Sequence, residues 1–436
     1  MENMVWFMTV IVVVVFTILE GVRGQQNNAQ VQQVDNAEQF ALLCRIYNVA
    51  KNPPIHHVDL QDPSKIVSEI NAINASFTED KRLNETEKAE NGTDVELKHT
   101  TTREASVAQA ILSRITQKAQ NILDEIRKVN TTMDIEKTKT EFAQVIYGEG
   151  RNESHVCDGE LNAVSNRASA CGTSELSSRG DSAGKNLVID FFCLCAMTTD
   201  DNGVENVCGV YVGGKGGKTH KPDSHGWDSK GPLGSSSMWA SVKKGCGKLT
   251  HQHPMSTEEG QDVIENFLIH LKAGGLYRWG ETNRIKGRDR KPGMLGTGVG
   301  TEGDHGKSLV CDGSRGKSGQ QLQRSGGKTV NPAGICVYYG TESEWENIPW
   351  MMKLKSALAN VEHVNNKKAT IQRDIDKLEK LLHRAEEIYE TTKVITEIQK
   401  PVVPPNLQTA AKRLTAYNAA QRHHPNTHFF SLFLLL

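Results

Sequence analysis

The chain has 436 residues and a formal net charge of -1, so no global basic field is available to hold nucleic acid. Its length allows two or three domains. Aromatic residues make up only 6%, thin for one large globular core and ordinary for helical rods.

Met4 to Leu19 is an apolar run followed by Val22-Arg23-Gly24, which reads as a secretory signal (residues 1–24) cut after Gly24. Glu2, with no Lys or Arg beside it, makes a weak n-region. The competing reading is an uncleaved anchor, for which the run is short of the about 20 residues that span a bilayer. Gln25 to Ala50 predicts the first helix, with Val31, Val34, Ala41, Cys44 and Tyr47 on one face. Asn52-Pro53-Pro54 ends it. Asp62-Pro63 offers an N-cap and a proline at the first helical position, and Ile66, Ile70, Ile73 and Phe77 continue that second helix. Thr78 to Thr102 is rich in Glu, Lys, Asn and Thr and is expected to be a solvated loop.

Asn74, Asn84, Asn91, Asn130 and Asn152 each begin an Asn-x-Ser/Thr acceptor for N-glycosylation. Three of the five lie in or beside the polar stretch.

Arg103 to Tyr147 predicts a long helix. Val107, Ile111, Ile115, Ala119, Ile122, Ile126, Val129, Met133, Ala143 and Ile146 line its apolar side. A second long helix is predicted in Glu342 to Gln399. Ile371, Ile375, Leu378, Leu382, Ala385, Tyr389, Thr392, Ile395 and Ile398 recur there at steps of three and four, and Pro401 should end it. Stripes this narrow are coiled-coil seams and need partners. An antiparallel hairpin of the two, with Gln25–Ala50 laid against it, buries both. The expected fold is therefore mainly α: a helical stalk (25–147 and 342–399) carrying an inserted head (148–341).

The head sequence is glycine-rich and holds every cysteine except Cys44. Leu187–Phe192, Val207–Val212 and Ile335–Tyr339 are candidate strands. Ser256-Thr257-Glu258-Glu259 is a capping box opening a short helix that ends at Gly274-Gly275. Gly280 to Lys328 is expected to be loop. Behind a secretory signal, cysteines pair. Cys44, Cys157, Cys171, Cys193, Cys195, Cys208, Cys246, Cys311 and Cys336 are the disulfide candidates, and order alone leaves their connectivity open. Nine is odd, so at least one thiol is free or bonds another chain.

Catalytic motifs are weak. Gly-Lys-Ser/Thr occurs at Gly217, Gly306, Gly316 and Gly327, but the glycine a phosphate loop needs five positions earlier is Val212, Thr301, Cys311 and Leu322. His251-Gln252-His253 lacks a clear third ligand and reads as a polar turn. Arg179-Gly180-Asp181-Ser182 has the wording of an adhesion tripeptide at a level chance explains. No metal, cofactor or enzymatic activity is expected. At the C-terminus, Asn418-Ala419-Ala420, a polar spacer and Phe429 to Leu436 make a GPI-attachment pattern with Asn418 as the anchored residue. Its apolar end is shorter than the about 10–20 residues usual for such a signal. Residues 419–436 would then be removed.

The signal before Gln25, the first helix with Cys44, and the long helices around a cysteine-bearing head together resemble the variant surface glycoproteins of African trypanosomes. Cys336-Val337-Tyr338-Tyr339, Trp345 and Ile348-Pro349-Trp350 have the wording of the B-type N-terminal domain of that family. The resemblance covers about Gln25 to Gln399. It implies a GPI-anchored coat glycoprotein on the external face of the plasma membrane, a homodimer, met by host antibodies and acting in antigenic variation without catalysis. Family members commonly add a cysteine-rich domain before the anchor; here no cysteine follows Cys336, leaving 401–418 as a short C-terminal segment. The rival reading is a nutrient receptor for serum proteins on the same scaffold.

Overall fold

The computed structural model describes residues 29–398 apart from 57–60, 90–102, 130, 158–160, 162–163, 165, 201, 215–224, 251–252, 282–283 and 317–329. The expected signal peptide, Asn91, Asn130 and the expected GPI site at Asn418 lie outside them. The described helices are α1 Ala37–Lys51, α2 Pro63–Ala89, α3 Arg103–Lys128, α4 Thr131–Tyr147, α5 Glu153–Cys157, α6 Arg167–Cys171, α7 Leu187–Cys195, α8 Ser235–Leu249, α9 Thr257–Ala273, α10 Glu342–Trp345 and α11 Pro349–Ile398. The strands are β1 Gly226–Trp227, β2 Pro232–Leu233, β3 Gly275–Glu281, β4 Arg284–Lys291, β5 Met294–Val299 and β6 Ala333–Tyr338. The chain divides into two compact units, one of residues 1–60 and 127–373, the other of residues 61–126 and 374–436.

In the first unit α7 is the hub. All nine of its residues are buried, and it packs on α1, α4, α8 and β6. The sequence Leu187-Val188-Ile189-Asp190-Phe191-Phe192 reads as a strand, and the structure makes it a helix. An apolar run this short carries no period that separates the two. Asn186 decides the matter locally, since its Oδ1 accepts from Ile189 N at 3.0 Å, an N-cap. At the other end Arg167 donates to Ala196 O at 2.6 Å and to Cys193 O at 2.7 Å, a buried cation set on the carbonyls at the helix C-terminus. Burial pushes its guanidinium down to about 10, partly offset by the charge of Asp312.

A second strand expectation, Val207–Val212, is also corrected, whereas the third, Ile335–Tyr339, falls largely in β6. Residues 207–212 turn, with Asn206 and Gly209 at positive φ and Cys208 bonded back to Cys195.

Helix α1 starts at Ala37, later than the sequence predicts. Val34 has a positive φ, and the buried Asn36 sends its Nδ2 to Leu194 O (2.9 Å) and Ile335 O (2.8 Å). Val31, Val34 and Asn36 donate their backbone N–H groups to Arg315, Asn206 and Val207. Those bonds hold residues 31–36 in turns that a helix could not keep. Asp35 adds a two-pronged ion pair to Arg278 of β3, at 2.6 and 2.7 Å.

The region expected as loop from Gly280 holds most of a four-stranded sheet, in the order β4-β3-β5-β6. β3 is antiparallel to β4 and parallel to β5, and β5 is antiparallel to β6. β4 was hidden because it is charged on both sides. β5 was hidden because it is buried on both faces with two glycines. Gly296 has φ +111°, and a Cβ there would lie 2.5 Å from Ile335 O, so the glycine permits the close approach of β6.

The capping helix α9 forms as expected: Ser256 Oγ accepts from Glu259 N, and Gly274 at φ +79° ends it. Helix α4 runs antiparallel to the first half of α11, which buries Trp350, Leu354, Ala357, Leu358, Val361 and Val364. Lys353 reaches Gln144 (3.0 Å), Asn360 reaches Glu141, and Lys367 reaches Asp134 (2.6 Å), fixing that direction.

The second unit is a three-helix arrangement of α2, the α3 residues through Ile126 and the α11 residues from Asp374. Asp62 Oδ1 caps α2 by accepting from Ser64 N. This helix continues to Ala89, so the expected loop is shorter than Thr78–Thr102. Residues 79–89 are mostly Glu, Lys, Arg, Leu and Ala, which favour helix even without an apolar face. The predicted single helix Arg103–Tyr147 is two helices, with Val129 between them and Asn130 undescribed. Val-Asn-Thr-Thr is a run of poor helix formers. The buried face of α3 is Ala108, Leu112, Ile115, Ala119, Leu123 and Ile126, while Val107 is 52% exposed. The stripe expected through Val107, Ile111 and Ile122 is thus displaced by one position toward the two leucines. On α11, Ile375, Leu378, Ala385 and Thr392 are buried as the seam predicts, whereas Ile398 is exposed.

Candidate functional site

The most unusual group in the first unit is Asp190, fully buried in an otherwise apolar helix. Its Oδ1 accepts from Gly184 N at 2.9 Å. Its Oδ2 accepts from Tyr339 Oη and Trp350 Nε1, each at 2.8 Å. Phe267 meets both aromatic partners edge-on, at 5.3 and 4.9 Å between ring centres. Burial pushes the Asp190 carboxyl up to about 7, against three donors that pull it down. The same burial and the nearby carboxylate hold the Tyr339 phenol well above its ordinary range. Ile348 packs over Gly184, and Trp345 Nε1, at the end of α10, donates back to Gly340 O just before that helix at 3.0 Å. The cluster ties α7, β6 and α11 together. Its carboxylate is fully buried and taken up by these three donors, the setting of a structural joint. Sequence reasoning passed over Asp190, although a lone carboxylate inside Leu-Val-Ile-Asp-Phe-Phe was the available signal.

The cysteines form four bonds: Cys44–Cys246, Cys171–Cys193, Cys195–Cys208 and Cys311–Cys336. Together they join α1 to α8, α6 to α7, α7 to the following turn, and β6 to the loop before it. These bonds use eight of the nine cysteines; the side chain of Cys157 lies outside the described residues.

The sequons differ in setting. Asn74 is on α2 and half-buried, its Oδ1 accepting from Gln109 Nε2 at 3.0 Å. Asn84 is also on α2. Asn152 is exposed in the turn before α5, where its Oδ1 accepts from Ser154 N (3.0 Å) and Ser154 Oγ (2.7 Å).

The adhesion-like tripeptide is built into the fold. Gly180 is buried, donating to Tyr338 O, and Asp181 N donates to Ser169 O. Arg179 Nη1 donates to Asn347 O at 3.3 Å. A Cβ on Gly180 would sit 2.5 Å from Ala170 O. Of the Gly-Lys-Ser/Thr tripeptides, Gly306-Lys307-Ser308 lies in a tight turn closed by Asp304, which accepts from Gly306 N and Ser308 N. Among the described residues no group of three metal-ligating side chains converges. His251 and the remaining three tripeptides are wholly or partly outside those residues.

In the second unit an open groove of about 620 Å³ runs between α3 and α11. Its walls include Val107, Ile111, Ile388 and Ile395, with Arg103, Glu104 and Glu387 among the charged residues lining it.

A comparison with curated proteins finds no match. A family model described as a trypanosomal VSG domain matches residues 22–107 and 84–380, most of the chain. The wording Cys336-Val337-Tyr338-Tyr339…Trp345…Ile348-Pro349-Trp350 lies inside that match, and two of its residues, Tyr339 and Trp350, donate to Asp190. With a buried aromatic joint, four disulfides and a family match over both units, this chain belongs to the trypanosomal VSG domain family of surface coat proteins.

Proposed function

We propose that this chain is a GPI-anchored surface coat glycoprotein acting in antigenic variation and evasion of host antibody. In this reading it is a homodimer on the external face of the plasma membrane, and the long helices serve as the stalk of the coat. Exposed turns such as Glu302 to His305 are what antibody would meet. The observation that carries the reading is the family match over residues 22–107 and 84–380. The disulfides agree with an oxidising compartment. No described helix is long and apolar enough to cross a membrane. The family is one of structural coat proteins and not of enzymes.

The test is antibody staining of intact cells before and after treatment with a phosphatidylinositol-specific phospholipase. Release of the protein into the medium with loss of surface stain is the expected result. Stain that survives the enzyme, or appears only after permeabilisation, overturns the anchor or the location. Saturable binding of one serum protein at the surface would redirect the reading to a nutrient receptor. Light scattering of the released protein tests the dimer.

A further inference from the structure

Strand β4 reads Arg-Ile-Lys-Gly-Arg-Asp-Arg-Lys, five cations and one carboxylate in eight residues of a chain whose net charge is -1. It is an edge strand of the sheet, bonded on one side to β3. Its cations are unequally engaged. Lys286 pairs with Glu281 at 3.2 Å, Arg290 donates to Gly274 O at 2.8 Å, and Lys291 stands over the Tyr338 ring at 5.9 Å. The one acid, Asp289, is held by the Arg290 N–H and by Tyr277 Oη. Arg284 and Arg288 are exposed and have no partner among the described residues.

The pairing register spreads these charges around the strand. Arg288 and Arg290 lie opposite Arg278 and Leu276 and so share their face, while Lys291 lies opposite Gly275 on the other. The register shift at Trp279/Gly280 then moves Arg284 and Lys286 out of the simple alternation. Half-buried Trp279 covers Gly287 in the middle of the strand. The result is a narrow ribbon with cations on more than one side, next to an aromatic surface. Arg278 adds no free charge, because Asp35 neutralises it.

We infer that β4 is a binding edge for a linear sulfated polysaccharide of the glycosaminoglycan class. Guanidinium groups make bidentate bonds to sulfate as they do to phosphate. A flexible polymer can reach cations on two faces of one strand, whereas a flat anionic membrane meets one face. The disulfides place the chain where sulfated glycans, and not nucleic acid, are the available polyanions.

The test uses the full chain and a fluorescent heparin octasaccharide at several salt concentrations, with size-matched single-stranded DNA and phosphatidylserine vesicles alongside. Saturable binding of the octasaccharide is expected. Arg284→Glu with Arg288→Glu should weaken it at least tenfold and lower the slope of log affinity against log salt by roughly two. Unchanged thermal unfolding of the variant shows that the fold is intact. Absence of octasaccharide binding, or binding indifferent to the double variant, overturns the inference. Equal affinity for DNA or vesicles overturns the choice of a glycan. If the wild type does not bind but Arg284→Thr with Arg288→Thr aggregates, the charges only guard the sheet edge, and the inference fails.

Discussion

Replacing Asp190 by Asn should remove a pH dependence from the stability of the first unit. Asp190 is fully buried, with its carboxyl pushed from 3.8 up to about 7. The folded chain therefore binds this proton roughly a thousandfold more tightly than the unfolded chain, a difference of about 4 kcal/mol. The folded value is the higher one. The stabilisation is thus complete below the unfolded value and is lost as pH rises through about 7, with a slope near 1.4 kcal/mol per pH unit between the two. Asn cannot ionise, but its amide leaves one of the Gly184 or Trp350 N–H groups without an acceptor, a constant cost of about 1–3 kcal/mol. Urea unfolding under non-reducing conditions, followed by tryptophan fluorescence, measures both effects. Between pH 5 and pH 8 the wild type should lose roughly 3 kcal/mol relative to Asp190→Asn. A difference that stays flat, or that grows with pH, would refute the reasoning. It would show that the three donors outweigh burial and keep a carboxylate in the core.

Three further outcomes follow from single contacts. Arg278→Met leaves Asp35 with its charge in a nearly closed site, where the pair is only 11% and 14% exposed. It should cost about 3–5 kcal/mol in the same urea assay. Gly260→Ala places a methyl 2.6 Å from Leu358 Cδ2, so the buried Leu358 must change rotamer or α9 must shift against α11, at about 1–3 kcal/mol in chemical denaturation. Removing the Cys44–Cys246 bond by a double Cys→Ala change frees a link spanning 202 residues, and should lower stability by up to about 5 kcal/mol on the chain-entropy account. A thermal scan of the oxidised variant checks it, and an unchanged midpoint would contradict that account.

What the sequence made legible follows from periodicity. The α11 seam needs only steps of three and four, and Ile375, Leu378 and Ala385 are buried accordingly. Ser256 and Asp62 announce their helices because a cap is a local device. The failures share a different cause. Asn36 stops α1 from starting early through bonds to residues 158 and 299 positions away, which no window can reveal. β4 is charged on both faces and β5 buried on both, so neither alternates. Leu187–Cys195 is apolar apart from Asp190, and its helical state is set by a cap and by Arg167 from another segment. The aromatic wording near Trp350 carries a family likeness. Its physical content, the bonds from Tyr339 and Trp350 to Asp190, joins residues 149 and 160 positions apart.

The bond between Cys44 and Cys246 has a consequence for how the molecule survives attack. A protease that cuts once anywhere between those two positions produces two polypeptides and no loss of mass. The fragment carrying α1 stays fastened to α8, and α1 remains lodged among α4, α7 and α9. On a gel such a nick would be invisible until a reductant is added. A cell bearing this protein could therefore keep clipped molecules in service.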